Sequence, residues 1–376
     1  MTTHARGINL GPITMPGVVK DLVNTLTGPV PFFLISIVVL AAVLKYYRTL
    51  TKPLFAGIAG VGAVAFFLVA CTDPHFKDIA LNNADNVPIV GMLFLVGFFL
   101  WLSLRQAAIN DERIAEGRPS REGEESKINI LVWPDLVYGE LICMVLTTVF
   151  LIAWAIVLQA PLEQPANPAG TPNPSKAPWY FLGLQEMLVY FDPWLAGVVF
   201  PGLIIAGLCA IPYIDTNPKG NGYYTLKERP FAIFMFLFGF IVLWVLLVIQ
   251  GTFLRGPNWN FFGPFEDWDP HKVLPLTNID FSDIFWIKWL GQPKPQFWLT
   301  RELPGIAIAV VYFGVPIFLL PLVPLFKKIL QQAGLVRYSV TVFLFLSMMS
   351  MLAKMFARWS FNLKYLVAIP EYFINI

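Results

Sequence analysis

Between Pro178 and Tyr190 the chain reads PWYFLGLQEMLVY, and Trp179, Leu182, Glu186 and Tyr190 recur there at helical spacing. Seven residues is nearly two turns, so Trp179 and Glu186 are expected on one face, about 10 Å apart along the axis. Pro174 and Pro178 suit a helix start. A carboxyl, an indole and the two phenols of Tyr180 and Tyr190 could line a pocket for an amphipathic ligand with an apolar tail and a polar ring. The same residue types also make an interfacial aromatic anchor, and residue type alone leaves both readings open.

The elements that must position these residues are set by the solvent. The chain is 57% hydrophobic and 13% charged, with a mean hydropathy of +0.65, which is the balance of an integral membrane protein and not of a soluble domain. Apolar runs at 22–44, 53–72, 86–104, 141–162, 193–214, 230–254 and 303–326 are long enough to cross about 30 Å of hydrocarbon as helices, and a shorter run at 338–353 ends at Lys354. The expected fold is therefore all-α, a polytopic transmembrane bundle of about eight spans, with the Trp179–Tyr190 segment as a short interfacial helix in an outer loop. The first 26 residues lack the basic start, apolar core and cleavage site of a secretory signal, so the first helix is expected to direct insertion.

Charge sets the orientation. With the N-terminus outside, the loops at 45–52, 105–133, 215–229 and 327–337 are cytoplasmic and carry three, five, three and three Lys or Arg residues, fourteen in all, whereas the outer loops at 73–85 and 163–192 carry only Lys77 and Lys176. Five basic residues in the loop at 255–301, and Lys354, Arg358 and Lys364 beyond, run against this pattern. The formal net charge of +2 does not point to nucleic acid. The run NDERIAEGRPSREGEESK reads as a solvated linker, with a boundary near Lys127. This gives three parts: 1–127, an N-terminal three-helix extension with its charged linker; 128–254; and 255–376, an aromatic-rich outer loop with two C-terminal spans. The aromatics of that loop, WNFFGPFEDWDPHK, are expected at the interface, either against a partner or in ordinary loop packing.

Metal chemistry has little to build on. Cys71, Cys143 and Cys209 lie in apolar runs without a CxxC, so disulfide, zinc and covalent haem sites have no support. His4, His75 and His271 all fall outside the spans, so the chain cannot supply paired axial ligands for b haems. The spans are poor in ionisable groups, which argues against a pump or ion transporter. Gly57, Gly60 and Gly62 would allow close helix packing.

Residues 129–251 resemble a known family. WPDL (Trp133 to Leu136) before a membrane helix, PANP (Pro165 to Pro168), Thr171-Pro172, PWYFL in the place of the family's Pro-Glu-Trp-Tyr motif, GVVFPGLIIAGLCAIPYID (Gly197 to Asp215) and RPFAIFMFLFGF (Arg229 to Phe240) are similar, in order and spacing, to subunit IV of cytochrome b6f complexes and to the C-terminal half of cytochrome b in bc1 complexes. The resemblance implies that residues 128–254 are a subunit IV-like domain. It implies a membrane subunit of a quinol:cytochrome c oxidoreductase in the bacterial cytoplasmic membrane, bordering an outer-side quinol-oxidation site. In that family quinol gives one electron to a Rieske protein and one to a b haem, and releases its protons outside. The implied partners are a b6-like haem-binding subunit, a Rieske protein with its two-iron, two-sulfur cluster, and cytochrome c, in a dimeric complex within the bilayer. Haem b and the Rieske cluster would sit on those partners, and only quinol or quinone would meet this chain.

By the same resemblance Pro178, Trp179, Tyr180, Leu182 and Tyr190 would contact quinol. The position of the motif glutamate, a proton acceptor in the family, holds Pro178, and proline cannot take a proton. Glu186 is the candidate for that role, with Tyr190 and Asp192 behind it; a carboxyl partly buried there would have its pKa raised toward neutrality and suit proton relay. An ordinary structural carboxyl is the competing reading. At the level of the whole chain the alternatives are a structural subunit that has lost quinol chemistry and, more remotely, a transporter.

Overall fold

The computed structural model describes residues 15–83, 85–125, 129, 131–158, 165–217, 224–274 and 277–376. In chain order its helices are α1 (Gly17–Leu26), α2 (Pro29–Lys45), α3 (Tyr47–Leu50), α4 (Pro53–Ala70), α5 (Pro74–Lys77), α6 (Asn86–Ala115), α7 (Arg121–Glu125), α8 (Val132–Val157), α9 (Leu182–Met187), α10 (Leu195–Ile214), α11 (Pro230–Leu254), α12 (Asp283–Trp289), α13 (Trp298–Leu322) and α14 (Pro324–Phe361). A two-residue antiparallel pair, β1 (Ala368–Ile369) and β2 (Ile374–Asn375), follows. Among the described residues seven helices are long and apolar enough to cross a membrane, and α1 with α2 makes an eighth if that bent pair is one span. The all-α polytopic bundle read from hydropathy is therefore the fold. α2, α4, α11 and α14 each open on a proline, whose missing N–H costs nothing at a first helical position.

Three boundaries differ from the sequence reading. The run at 22–44 is not one straight span, because α1 and α2 meet at 82° around Gly28 and Pro29. The charged segment after residue 104 is not wholly linker, since α6 runs on to Ala115 and α7 follows. Thirty residues make about 45 Å of helix, so the charged end of α6 projects beyond a bilayer. The expected loop at 327–337 is also helical: α14 covers the eighth run and continues past it, broken only at Gly334, whose φ of 75° a glycine tolerates.

The chain forms two compact units, the first from residues 1–180 with 222–273 and the second from 181–221 with 274–376. In the first, α11 carries the largest buried apolar share of any span, with Leu237, Val242, Leu246, Leu247 and Val248 enclosed. At one end a polar cluster replaces the expected solvated linker. Asp111, 3% exposed, accepts from Tyr47 Oη at 2.6 Å and from the backbone N–H of Leu226 and Lys227 at 3.2 Å each. Beside it Asn110 donates to the Tyr224 carbonyl and accepts from the Arg121 N–H. Burial and the Asp111 hydrogen bond push the Tyr47 phenol above its ordinary pKa. α8 lies open along its length, and a Cβ added to Gly57, Gly60 or Gly62 would meet no neighbour among the described residues.

In the second unit α10 and α13 pack on α14. Tyr312 Oη donates to the Leu346 carbonyl at 2.8 Å and Tyr338 Oη to the Ile317 carbonyl at 3.1 Å, satisfying two phenols where lipid would not. Gly305 lets the chain after α14 pass, because a Cβ there would strike the Leu366 carbonyl. Buried Glu302 accepts from the Ala368 N–H and pairs with Arg301, which also reaches Glu371.

Replacing Asp111 with Ala strips one phenol and two backbone N–H groups of their acceptor, at about 1–3 kcal/mol for each buried group left unsatisfied. Asp111→Ala is expected to lower the thermal midpoint of the detergent-purified protein by several degrees, and Asp111→Asn, which keeps an acceptor, by less; an unchanged midpoint for Asp111→Ala would show that the cluster is not stabilising.

Candidate functional site

The proline-rich segment before Trp179 is fastened within the first unit. Asn173 and Asn258 bond reciprocally, Nδ2 to Oδ1 at 3.0 Å and Asn258 N–H to Asn173 Oδ1 at 2.6 Å. Lys176 Nζ donates to the Thr252 carbonyl at 2.7 Å and lies 5.1 Å from the centre of the Trp268 ring. Asn258 holds a left-handed φ of 57°, which asparagine tolerates better than most residues, and its Nδ2 also bonds the Pro270 and Lys272 carbonyls. The aromatic loop after α11 therefore packs on its own chain. Phe265 stacks on Phe76 at 5.3 Å and donates its N–H to Asn24 Oδ1, His75 lies edge-on to Trp268, and a Cβ on Gly263 would run into Asn24.

Trp179, Tyr180 and Phe181 form a single 3₁₀ turn. The Trp179 and Tyr180 rings meet edge to face at 5.7 Å; Pro178 is exposed, Trp179 is part-buried and Tyr180 is 50% exposed. The one continuous helix expected from Trp179 to Tyr190 is not formed, since regular α geometry covers only α9 and residues 188–190 turn away from it.

In the second unit Leu182, Glu186 and Tyr190 are all buried, as their spacing of four predicts for one side of a helix. Glu186 is fully enclosed, deeper than the part-buried carboxyl expected. The Tyr190 ring meets Trp359 of α14 edge to face at 6.1 Å, and Phe191 meets Phe200 at 4.8 Å. Asp192 Oδ1 accepts from the Trp194 N–H ahead of α10, and its Oδ2 accepts from Asn375 Nδ2 at 3.0 Å and from Tyr365 Oη at 3.4 Å. The Trp194 indole N–H reaches the Asn375 carbonyl.

Sequence reasoning missed the basic groups beneath this segment. By sequence Lys354 ends an apolar run and Arg358 runs with it against the charge pattern, yet the two, one turn apart on α14, are only 7% and 8% exposed. Arg358 donates to the Thr277 and Asn362 carbonyls and to Asn278 Oδ1. Two basic residues at i and i+4 after an apolar run were the available signal.

Among the described residues no three His, Cys, Asp or Glu side chains stand close enough to hold a metal ion. His75 lies in the short helix after α4 and His271 in an exposed turn, while His4 falls outside the described residues. The described residues therefore do not fit a b haem.

Tyr190→Ala should leave a void where a buried phenol stood and cost about 2–4 kcal/mol, whereas Tyr180→Ala, at a half-exposed ring, should cost under about 1 kcal/mol. Thermal unfolding of the two variants checks this, and equal losses would contradict the burial just described.

Residues 165–263 match the family model for cytochrome b (C-terminal)/b6/petD. No solved structure matches the chain. The matched residues run from the PANP motif through α9, α10 and α11 into the aromatic loop, while Trp133 to Leu136 lie before them. Residues 165–263 are thus similar to the cytochrome b C-terminal/b6/petD family, about a quarter of the chain, and among the described residues seven helices are long and apolar enough to cross a membrane.

Proposed function

We propose that this chain is a subunit of a bacterial quinol:cytochrome c oxidoreductase in the cytoplasmic membrane, and that it forms one wall of the outer-side quinol-oxidation pocket. The observation that carries this is the family match, which spans the whole of Pro165 to Tyr190. Haem b would be held by a b6-like partner and the iron-sulfur cluster by a Rieske partner, with cytochrome c as electron acceptor and the complex dimeric. The positive-inside distribution supports the outer placement of Trp179.

In this reading Pro178, Trp179 and Tyr180 present a half-exposed edge to the quinol ring, and Leu182 and Tyr190 are further quinol contacts. Glu186 accepts a quinol proton in place of the motif glutamate, whose position holds Pro178. Its enclosure excludes bulk water, which suits a group that must hold and then pass on a proton. That substitution by proline equally favours a second reading, a structural subunit without quinol chemistry.

Tagging the chain and purifying it in mild detergent tests both. Co-purification of a four-histidine membrane subunit, a Rieske protein and a reducible b haem, with inhibitor-sensitive quinol oxidation, is expected; a haem-free chain without redox partners would overturn the proposal. In the active complex Glu186→Gln should slow quinol oxidation by at least about tenfold with assembly intact, and unchanged turnover would remove Glu186 from the mechanism.

A further inference from the structure

Lys354 has no role in the function proposed above, and its setting is unusual. It is 7% exposed, and its Nζ finds no hydrogen-bond partner among the described residues. It lies 5.8 Å from the centre of the Phe191 ring, immediately after the candidate segment, and 5.9 Å from that of Tyr365. An enclosed ammonium that neither pairs nor hydrogen-bonds is costly, so such groups are retained where they do something.

The carboxylate acting on Lys354 is Asp280, while Arg358 one turn away opposes its charge. Asp280 is brought there by a short backbone ladder: Ile279 N–H to the Asn362 carbonyl at 3.1 Å, Lys364 N–H to the Ile279 carbonyl at 2.8 Å, and Phe281 N–H to the Tyr365 carbonyl at 2.9 Å. This clamps residues 279–281 along the chain leaving α14. Asp280 is half-buried and also feels Asp283, Lys294, Glu302 and Lys364. Burial first, and the neighbouring Asp283 second, push its carboxyl above the usual range. Beyond it Asp283 pairs with Lys294 at 2.7 Å, with both side chains about a third exposed. From Lys354 to Asp280 and Asp283 the ionisable groups thus pass from enclosed to part-exposed.

We propose that Lys354 and Asp280 are a proton-relay pair leading from the Glu186–Tyr190 segment to the outer surface. In one transfer the Lys354 ammonium gives a proton to the Asp280 carboxylate, leaving a neutral amine and a neutral carboxylic acid. Asp280 then loses that proton to surface water beside Asp283, and the Lys354 amine is recharged by a proton from quinol oxidation. The two groups form no direct hydrogen bond, so each transfer passes through a bridging water or a side-chain swing. The relay rests on the quinol-oxidation reading, which supplies the proton.

The test uses the intact complex purified from its own membranes, measuring quinol-dependent cytochrome reduction against pH. Lys354→Arg keeps the charge and most of the bulk, but a guanidinium does not deprotonate in this range. Lys354→Arg and Asp280→Asn are each expected to slow turnover about tenfold or more, to slow it no further when combined, and to lose a limb of the pH–rate profile, while Asp280→Glu keeps most of the rate. If Lys354→Arg fails to assemble, Asp280→Asn alone decides, because a structural role for Asp280 would leave the profile's shape unchanged. An active wild type whose variants keep its rate and profile would overturn the relay alone, whereas a wild-type complex that oxidises no quinol would overturn the functional reading and the relay with it.

Discussion

A helix of six residues cannot hold its own shape in water or at a membrane surface, because nucleation costs more than so few hydrogen bonds return. α9 is such a helix, and the chain that leaves it is held by tertiary contacts: Trp359 against Tyr190, Phe200 against Phe191, and the Tyr365 and Asn375 groups that fill the Asp192 carboxylate. The segment that carries Glu186 is therefore anchored at its end by α14 and the strand pair beyond it. A change at Trp359 or Asn375 acts on the candidate site as directly as a change within it.

The same dependence on distant chain holds in the first unit. Residues 255–273 have little regular structure, and in a segment so rich in aromatic rings the backbone groups must be satisfied locally. Arg255 bonds the Trp259 carbonyl, Lys272 the Phe261 carbonyl and Glu266, and Asn258 two further carbonyls. The N-terminal helices complete this, since Asn24 accepts the Phe265 N–H and Phe76 covers its ring, while Lys20 ties α1 to Asp73. The N-terminal extension thus gains a structural purpose as one side of the clamp on this loop, and Gly263 is the small residue that lets Asn24 in.

Much of this architecture was legible because hydropathy and length report what crosses a membrane. What escaped was set by tertiary contacts. Apolarity continues through Gly28 and Pro29, so composition could not register the bend there. The charged end of α6 looked like linker, yet Glu, Arg and Ala are good helix formers and buried Asp111 secures it to residues 224–227. At the site, residue types and the spacing of Leu182, Glu186 and Tyr190 were readable, and the motif order led to the family. The 3₁₀ turn that detaches Trp179 from that helical spacing was not readable, nor was the full enclosure of Glu186, because both follow from packing by residues far along the chain.

The departure from the family motif then has a physical consequence. A proton acceptor at the position of Pro178 would stand exposed, able to exchange with water directly. A carboxyl at Glu186 cannot, since no part of it meets solvent. In the proposed function, an acceptor at Glu186 therefore requires an outlet for its proton. The same unit holds further ionisable groups, with Lys354 enclosed beside Phe191, Asp280 half-buried and the Asp283–Lys294 pair part-exposed. Loss of the motif glutamate and gain of this graded cluster are, in the proposed function, two parts of one change: the proton path runs deeper and leaves by a different set of side chains.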